Sequence, residues 1–250
     1  MNPTSHYSWI PALKKQLKHH TAIAMDIENA IYTSAQVKKD SKGRRHTIYS
    51  FVIISQKAQS WSIVQKRYSD CRTLYKSLKS WTRSHRGLNR PLVRFVALVD
   101  KMEFPSRTLG FDDYYTSQFR KLRLTAFMEF VLMVHDNAQL DDTPAIAELY
   151  QLLSMFIFGK HSANDIDSCC NSLTRSALSW TMQDDSCSIC LNDLSADMTN
   201  PVFGLSCGHI FHQECALRWF EYQSVCPICR NPCKQGRTTC AADLANYPLY

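Results

Sequence analysis

The chain has 250 residues, of which 45% are hydrophobic and only seven are glycine, a composition typical of a globular protein with one ordinary domain and one small one. No apolar run approaches the ~18 residues needed to cross a bilayer, and the first 20 residues lack the apolar stretch of a signal peptide. These features favour a soluble, intracellular protein. In a reducing compartment, clustered cysteines indicate metal binding before disulfides.

The charge is unevenly distributed along the chain. Residues 1–160 hold 24 lysine and arginine residues against 13 acidic ones, whereas residues 161–250 hold five against nine. The basic part is predicted to attract an anionic surface such as lipid headgroups or nucleic acid. The acidic part opposes contact with phosphates.

The N-terminal region predicts a small sheet behind a leader. Residues 1–20 are interpreted as a solvated leader. The β-type stretches 21–33 and 46–55 flank "KKDSKGRR", where Gly43 suits a hairpin turn, and "WSIVQK" at 61–66 reads as a third strand. A three-stranded antiparallel meander is therefore expected.

Three amphipathic helices are predicted to follow. They cover residues 68–81, residues 116–135 and a segment that begins at Pro144 after the capping residue Thr143. Arg120, with Lys121 and Arg123, is placed largely off the apolar stripe of the second helix. The residues expected to face inward are Cys71, Leu74, Leu78 and Trp81, then Phe119, Leu122, Ala126, Phe127, Phe130 and Val134, and finally Ile146, Leu149, Leu153 and Phe156.

A cluster of cysteine and histidine residues follows a polar, serine-rich stretch at 159–183 that is interpreted as a linker. Two CxxC pairs flank a CxHxxHxxC run, with sixteen residues before that run and ten after it. Structural zinc takes four thiolate or imidazole ligands, so eight ligands predict two zinc ions. Spacing alone leaves open whether the ligand pairs are used in sequence or interleaved. The ligands are Cys187, Cys190, Cys207, His209, His212, Cys215, Cys226 and Cys229.

This cluster resembles a RING finger of the two-histidine type, here given the bounds 184–233, with 234–250 as a C-terminal tail. The family's cross-brace implies that the first and third ligand pairs share one zinc and that the second and fourth share the other. The first site would be Cys187, Cys190, His212 and Cys215, and the second Cys207, His209, Cys226 and Cys229. Metal binding and folding of so small a segment are expected to be coupled.

The resemblance also implies roles for residues between the ligands. In RING ligases the positions of Ile189, Trp219 and Pro227 form a groove that grips the ubiquitin-conjugating enzyme. Arg230 matches the linchpin arginine, which hydrogen-bonds both that enzyme and ubiquitin. Arginine suits this role because its planar guanidinium offers several directed donors. Catalysis would consist of positioning the reactants, without a covalent intermediate on this chain. In the alternative interpretation, Ile189, Trp219 and Pro227 form the core of the small domain and Arg230 is an ordinary surface charge.

A second resemblance covers residues 21–158. Three strands followed by "RYSD" at a helix start, then "FPSRTLG" and "FRKLRLTAFMEFV", are similar to the Phox homology (PX) domain, an α+β phosphoinositide-binding module whose sheet carries a helical subdomain. It implies that Arg67 holds the 3-phosphate and Tyr68 stacks under the inositol ring. It further implies that Arg107 lies near the 1-phosphate and that Arg120 binds ring hydroxyls. Two nearby apolar residues, Leu109 and Phe111, are expected to dip into the bilayer.

The sequence thus predicts a PX-like domain, a linker and a two-zinc RING finger. The expected function is that of a cytoplasmic RING-type E3 ubiquitin ligase recruited to endosome-type membranes through phosphatidylinositol 3-phosphate. Its partners would be a ubiquitin-conjugating enzyme, ubiquitin and a protein substrate, with no nucleic acid. The alternative is a membrane adaptor whose RING only binds proteins, and a PX-like domain that binds protein instead of lipid also stays open.

Overall fold

The computed structural model describes residues 29–107, 113–159, 186–194 and 200–240. These residues form two compact units. The sheet unit contains 29–68, 113–121 and the described residues from 186 onward, and the helical unit contains 69–107 and 122–159. The predicted leader and almost all of the predicted linker lie outside the described residues.

The predicted meander is confirmed. Strands β1 (Asn29–Lys39), β2 (Arg45–Ser55) and β3 (Ser60–Arg67) pair antiparallel in chain order. Gly43 adopts the positive φ of 75° that the first hairpin needs. The carboxylate of Asp40 accepts hydrogen bonds from the backbone N–H groups of Lys42 and Arg44, both at 2.9 Å, which closes the turn. β1 runs six residues beyond the predicted end at residue 33 because residues 34–39 continue the antiparallel pairing with residues 45–50 of β2.

The meander continues into the cysteine-rich region as one antiparallel sheet. Strands β4 (Pro201–Leu205), β5 (Ile210–His212) and β6 (Gln235–Cys240) complete the order β1-β2-β3-β6-β4-β5. β6 falls in the segment that was predicted as a C-terminal tail. Its sequence, "QGRTTC", has no apolar alternation, so tertiary pairing with β3 and β4 defines the strand.

The helical unit begins with α1 (Tyr68–Ser84), whose last sixteen residues belong to it. The predicted stripe of α1 is buried, as expected. α2 (Pro91–Val96) and a 3₁₀ turn (Ala97–Lys101) follow. The helix α3 (Tyr114–Ala138) belongs to this unit from Leu122 onward, and α4 (Pro144–Phe158) closes the unit. Aromatic pairs tie these helices together: Phe95 stacks on Phe130 with ring centroids 5.3 Å apart. None of the described helices is long and apolar enough to cross a membrane.

Two details of these helices correct the predicted stripes. On α3, Arg120 is only 4% exposed, whereas Phe119 and Leu122 are 51% and 47% exposed, so the stripe prediction was wrong at the first turns. On α4, Ile157 is buried and Phe156 is only half-buried. Helical periodicity identifies a face to within about one residue, and the packing partner decides which neighbour is buried.

The start of α4 is also built differently from the prediction. Thr143 is the N-cap residue and Pro144 stands in the first turn, but the Thr143 side chain does not cap the helix. Its hydroxyl and backbone N–H instead donate to the Asp141 carboxylate, and the hydroxyl bond is the main reason why the pKa of Asp141 is lowered.

Candidate metal centre

The first CxxC pair forms a tight turn that exposes two sulfurs on one side. The N–H of Leu191 donates to the Cys187 carbonyl at 2.7 Å, and the N–H of Cys187 donates to the Asn192 carbonyl at 2.8 Å. Leu191 adopts the left-handed region with φ 64°. Burial opposes ionisation of the Cys187 thiol, but nearby backbone N–H groups outweigh burial and lower its pKa to about 7.

The last CxxC pair repeats this turn. The N–H of Arg230 donates to the Cys226 carbonyl at 3.0 Å, the N–H of Cys226 donates to the Asn231 carbonyl at 2.8 Å, and Arg230 has φ 60°. The two CxxC turns, called the zinc turns below, therefore share the same hydrogen bonds and the same left-handed residue after the second cysteine. They can hold metal in the same way. Gly208, between Cys207 and His209, takes φ 89° so that both neighbours can face one point.

The eight predicted ligands form two groups of four, interleaved along the chain as the cross-brace requires. Within each group the ligand atoms lie within 4.8 Å of one another. His209 Nδ1 lies 3.3 Å from Cys207 Sγ and 3.4 Å from Cys226 Sγ. A tetrahedral zinc with ordinary Zn–S and Zn–N bonds separates such ligand atoms by about 3.6 Å, so the spacing fits zinc. The groups are Cys187, Cys190, His212 and Cys215, and Cys207, His209, Cys226 and Cys229.

The electrostatics of the thiols also fit a divalent cation. Burial raises the pKa of Cys207 to about 12, and the neighbouring thiols of Cys229 and Cys226 act in the same direction. Burial, followed by the charge of Cys187, raises the pKa of Cys215 to about 12. Crowded thiols of this kind cannot all ionise alone, and a bound Zn²⁺ supplies the positive charge that ionises them. The residues therefore fit the two structural zinc ions that the sequence predicted.

Two further cysteines of the described residues, Cys71 and Cys233, are not members of these groups. Cys71 is buried on α1, as its place on an apolar stripe predicted. Cys233 is buried close to the second group, and its thiol contacts the Asn231 carbonyl at 3.3 Å. Burial raises the pKa of Cys233 to about 11, so it behaves as a small apolar residue.

The residues predicted to contact the conjugating enzyme lie at the finger's surface. Ile189 and Trp219 are half-buried at the edge of one apolar cluster, and Trp219 sits on α5 (Gln213–Phe220). The Trp219 Nε1–H donates to the Val225 carbonyl at 2.7 Å. Pro227 is half-buried and Arg230 is exposed. Three more apolar side chains of the finger are exposed: Leu191, Tyr222 and Ile228.

The residues predicted to bind lipid are placed as follows. Arg67 ends β3 and is exposed, and Tyr68 is half-buried. The buried Arg120 guanidinium lies 4.0 Å from the centroid of the Tyr68 ring, a cation–π contact within the sheet unit. Arg107 is exposed and belongs to the helical unit. The two residues expected to dip into the bilayer lie outside the described residues.

Sequence reasoning missed the residues that join the finger to the meander. Trp61 on β3 stacks on Phe203 of β4, with centroids 5.1 Å apart and planes at 10°, and tilts against Phe220 of α5 at 5.1 Å. A Cβ on Gly236 would lie 2.1 Å from the Gly204 carbonyl oxygen and 2.7 Å from the Trp61 ring, so only glycine fits there. The glycine within a polar segment was the available signal.

Comparisons with known proteins agree with this geometry. Residues 185–230 match the family model described as "Ring finger domain". The Arabidopsis thaliana "Probable E3 ubiquitin-protein ligase XERICO" is 40% identical over 50 residues, which are 20% of this chain and 30% of that protein. The Mus musculus "E3 ubiquitin-protein ligase RNF181" is 37% identical over 60 residues, 24% of this chain and 35% of that protein. The chain thus spans about a third or less of the length of these relatives. No solved structure matches the chain.

The motif, the paired four-ligand groups and the family match concern the same segment. The match covers residues 185–230 and not the remainder of the chain. Residues 185–230 are therefore a RING finger of the two-histidine type, with two sites suited to zinc.

Proposed function

We propose that the chain is a RING-type E3 ubiquitin ligase. The observation that carries this proposal is the interleaved pair of four-ligand sites in a segment whose relatives are named E3 ubiquitin-protein ligases. The two zinc ions are structural: they fold the finger and take no part in a chemical step.

In this function the finger positions a conjugating enzyme that carries ubiquitin as a thioester. A substrate amine attacks the thioester carbonyl, an amide bond forms, and the cysteine of the conjugating enzyme departs as the thiol after the amine gives up its proton. The finger contributes by restricting the thioester to a reactive pose. Ile189, Trp219 and Pro227 bind the conjugating enzyme, because they present apolar surface at the finger's edge.

Arg230 is the proposed linchpin. Its backbone adopts the left-handed region, with φ 60°, within the turn of the last CxxC pair. It is exposed and directly follows the last zinc ligand. Its guanidinium offers several donors to carbonyl and carboxylate oxygens of the conjugating enzyme and ubiquitin.

The test is discharge of ubiquitin from charged conjugating enzymes by the purified chain. Ile189→Ala is expected to weaken binding of the conjugating enzyme while both zinc ions stay bound. Arg230→Ala is expected to leave that binding largely intact and to slow discharge. Exposed Arg218, on α5 outside the zinc turns, provides the matched control as Arg218→Ala.

The adaptor reading makes the opposite forecast. If the wild-type chain accelerates discharge from no member of a broad panel of conjugating enzymes, yet retains both zinc ions, the finger serves protein binding alone. Nucleic-acid binding by the finger is disfavoured because residues 161–250 carry a net negative charge.

The second part of the proposal is recruitment to membranes. A PX-like domain binds phosphatidylinositol 3-phosphate, with Arg67, Tyr68 and Arg120 of the sheet unit in the roles that the resemblance implies, and brings the protein to endosome-type membranes from the cytoplasm. Two observations support it: the antiparallel meander that precedes α1, and the buried Arg120 stacked on Tyr68. A buried arginine beside an aromatic ring at a strand end suits a phosphorylated ring ligand.

This part is tested by vesicle binding. Vesicles with phosphatidylinositol 3-phosphate are compared with phosphatidylserine vesicles of equal charge. Preference for the first kind supports a specific pocket. Equal binding to both would leave only a general attraction between a basic surface and acidic lipid.

A further inference from the structure

The segment between α5 and the last zinc turn, residues 221–225, lies between the two proposed contact residues Trp219 and Pro227. Within it, the N–H groups of Tyr222 and Gln223 both donate to the Trp219 carbonyl at 3.0 Å. The Trp219 side chain in turn donates to the Val225 carbonyl. The conformation of this bracing segment, as we call residues 221–225, therefore sets where Trp219 and Pro227 stand.

The meander contacts this segment through two glutamine side chains. The Gln65 amide donates to the Ser224 hydroxyl at 3.0 Å, and the Gln36 amide donates to the Glu221 carbonyl. The Gln65 amide is itself fixed, because it also donates at 3.0 Å to the hydroxyl of buried Ser50, its cross-strand partner on β2. Ser224 then accepts, through its carbonyl, the N–H of Cys233 at 3.0 Å.

The backbone makes this contact rigid. β3 pairs with β6 directly after the finger, and the Ile63 N–H donates to the Lys234 carbonyl at 2.7 Å. Trp61 fills the apolar space between β3 and the finger by stacking on Phe203 and packing at a tilt against Phe220. The glutamines therefore project from a sheet that is continuous with the finger itself.

We propose that the meander is a working part of the ligase and that Gln65 and Gln36 are positioning residues for its conjugating-enzyme surface. They act through the bracing segment and do not touch the bound partner. The inference rests on the proposed ligase function and deepens it: the unit that recruits a conjugating enzyme includes β1–β3 as well as the finger. Preorganisation of this kind raises affinity because less ordering is needed on binding.

The experiment uses the full chain and measures discharge as a function of conjugating-enzyme concentration. Gln65→Ala and Ser224→Ala are each expected to raise the half-maximal concentration about three- to tenfold, the range of one exposed hydrogen bond. The maximal rate and the zinc content are expected to stay unchanged. The double variant is expected to be no worse than Gln65→Ala alone, because Gln65→Ala already removes the bond to Ser224 together with the bond to Ser50.

Three controls separate positioning from general damage. Gln65→Glu replaces the amide donor with carboxylate oxygens, which can accept hydrogen bonds from both serine hydroxyls, and is expected to restore most of the affinity. Gln36→Ala reports on the second brace and is expected to act in the same direction. Gln56→Ala changes an exposed glutamine in the turn between β2 and β3 and is expected to change nothing.

Hydrogen exchange gives a reading that does not depend on ligase activity. Gln65→Ala is expected to speed exchange of the amides in the bracing segment and of Cys233, with the zinc turns unaffected. Unchanged exchange, or effects of the Gln65 and Ser224 variants that multiply in the double variant, would overturn the inference. The wild-type chain could discharge ubiquitin from no conjugating enzyme while Gln65→Ala still speeds amide exchange as expected. In that case the ligase proposal fails, but the bracing contact itself is supported.

Discussion

The two units of this protein are stabilised in different ways. The helical unit is held by apolar stripes that lie within single helices, such as the buried face of α1. The sheet unit combines strands that are more than 130 residues apart in the chain, and its finger is too small for a core of its own. Metal ligation and pairing with the meander supply what its local sequence lacks. Eight residues are enough to recognise the finger, but the apolar cluster of the finger also includes Val52, Ile54 and Trp61 of the distant meander.

The largest expected difference between the units follows metal removal. A strong chelator should unfold the finger, because structural zinc sites contribute about 10–16 kcal/mol to folding. β6 should then lose its pairing with β3, whereas α1, α2 and α4 should keep their protection. Hydrogen exchange of the native chain with and without chelator measures this, together with metal analysis expected to give about two zinc ions per chain.

Cys187→Ser provides the matched variant, since it removes one ligand and should unfold the finger instead of merely weakening it. Properly purified protein with almost no bound metal would contradict the zinc assignment. Equal loss of protection in both units would contradict the distinction between them.

The next effect concerns the packing between meander and finger. Trp61→Ala should cost about 3–5 kcal/mol of unfolding free energy, and Leu78→Ala in the helical unit about 2–5 kcal/mol. Both residues are almost fully buried. The two variants should affect different regions of the chain. Trp61→Ala should speed amide hydrogen exchange in β4 and α5, whereas Leu78→Ala should leave exchange there unchanged. Trp61→Phe, which keeps an aromatic ring, should behave much more mildly.

A smaller effect is expected for specific lipid binding. Arg67→Ala removes the guanidinium assigned to the 3-phosphate, and hydrogen bonds to charged groups are worth about 1.5–3 kcal/mol each. Affinity for vesicles with phosphatidylinositol 3-phosphate should fall about tenfold to a thousandfold. Arg83→Ala, an exposed arginine at the end of α1 in the helical unit, serves as the control and should lose little. An equal loss in the two variants would show diffuse attraction instead of a pocket.

The smallest effect is expected at the hairpin. Lys38 and Lys39 end β1, are exposed and contribute to the basic charge of residues 1–160. Replacing either with alanine should weaken binding to acidic vesicles by about 1 kcal/mol, without changing lipid preference. High salt should reproduce this effect in the wild-type chain because it screens exposed charges. If either variant lost the preference for phosphatidylinositol 3-phosphate, these lysines would belong to the specific lipid site.

Local pattern was sufficient for many features. The buried face of α1 follows from helical spacing, the first hairpin follows from Gly43, and the zinc ligands follow from residue type and spacing. The choice between interleaved and sequential ligand pairs needed the family resemblance, because both arrangements satisfy the same spacing. The roles of Arg230 and of the lipid-binding residues remain predictions.

Other features depend on partners that lie far away in the chain. Arg120 is buried because its guanidinium has the Tyr68 ring to stack on, while periodicity alone placed it at the surface. The hydroxyl of Ser224, which lies in an irregular segment, accepts a hydrogen bond from the Gln65 amide on β3. β6 has a polar sequence with no strand pattern, and it becomes a strand because β3 and β4 offer it hydrogen bonds on both sides. Ligand chemistry is local and can be read from neighbouring residues, whereas pairing and burial belong to surfaces that exist only after the chain has folded.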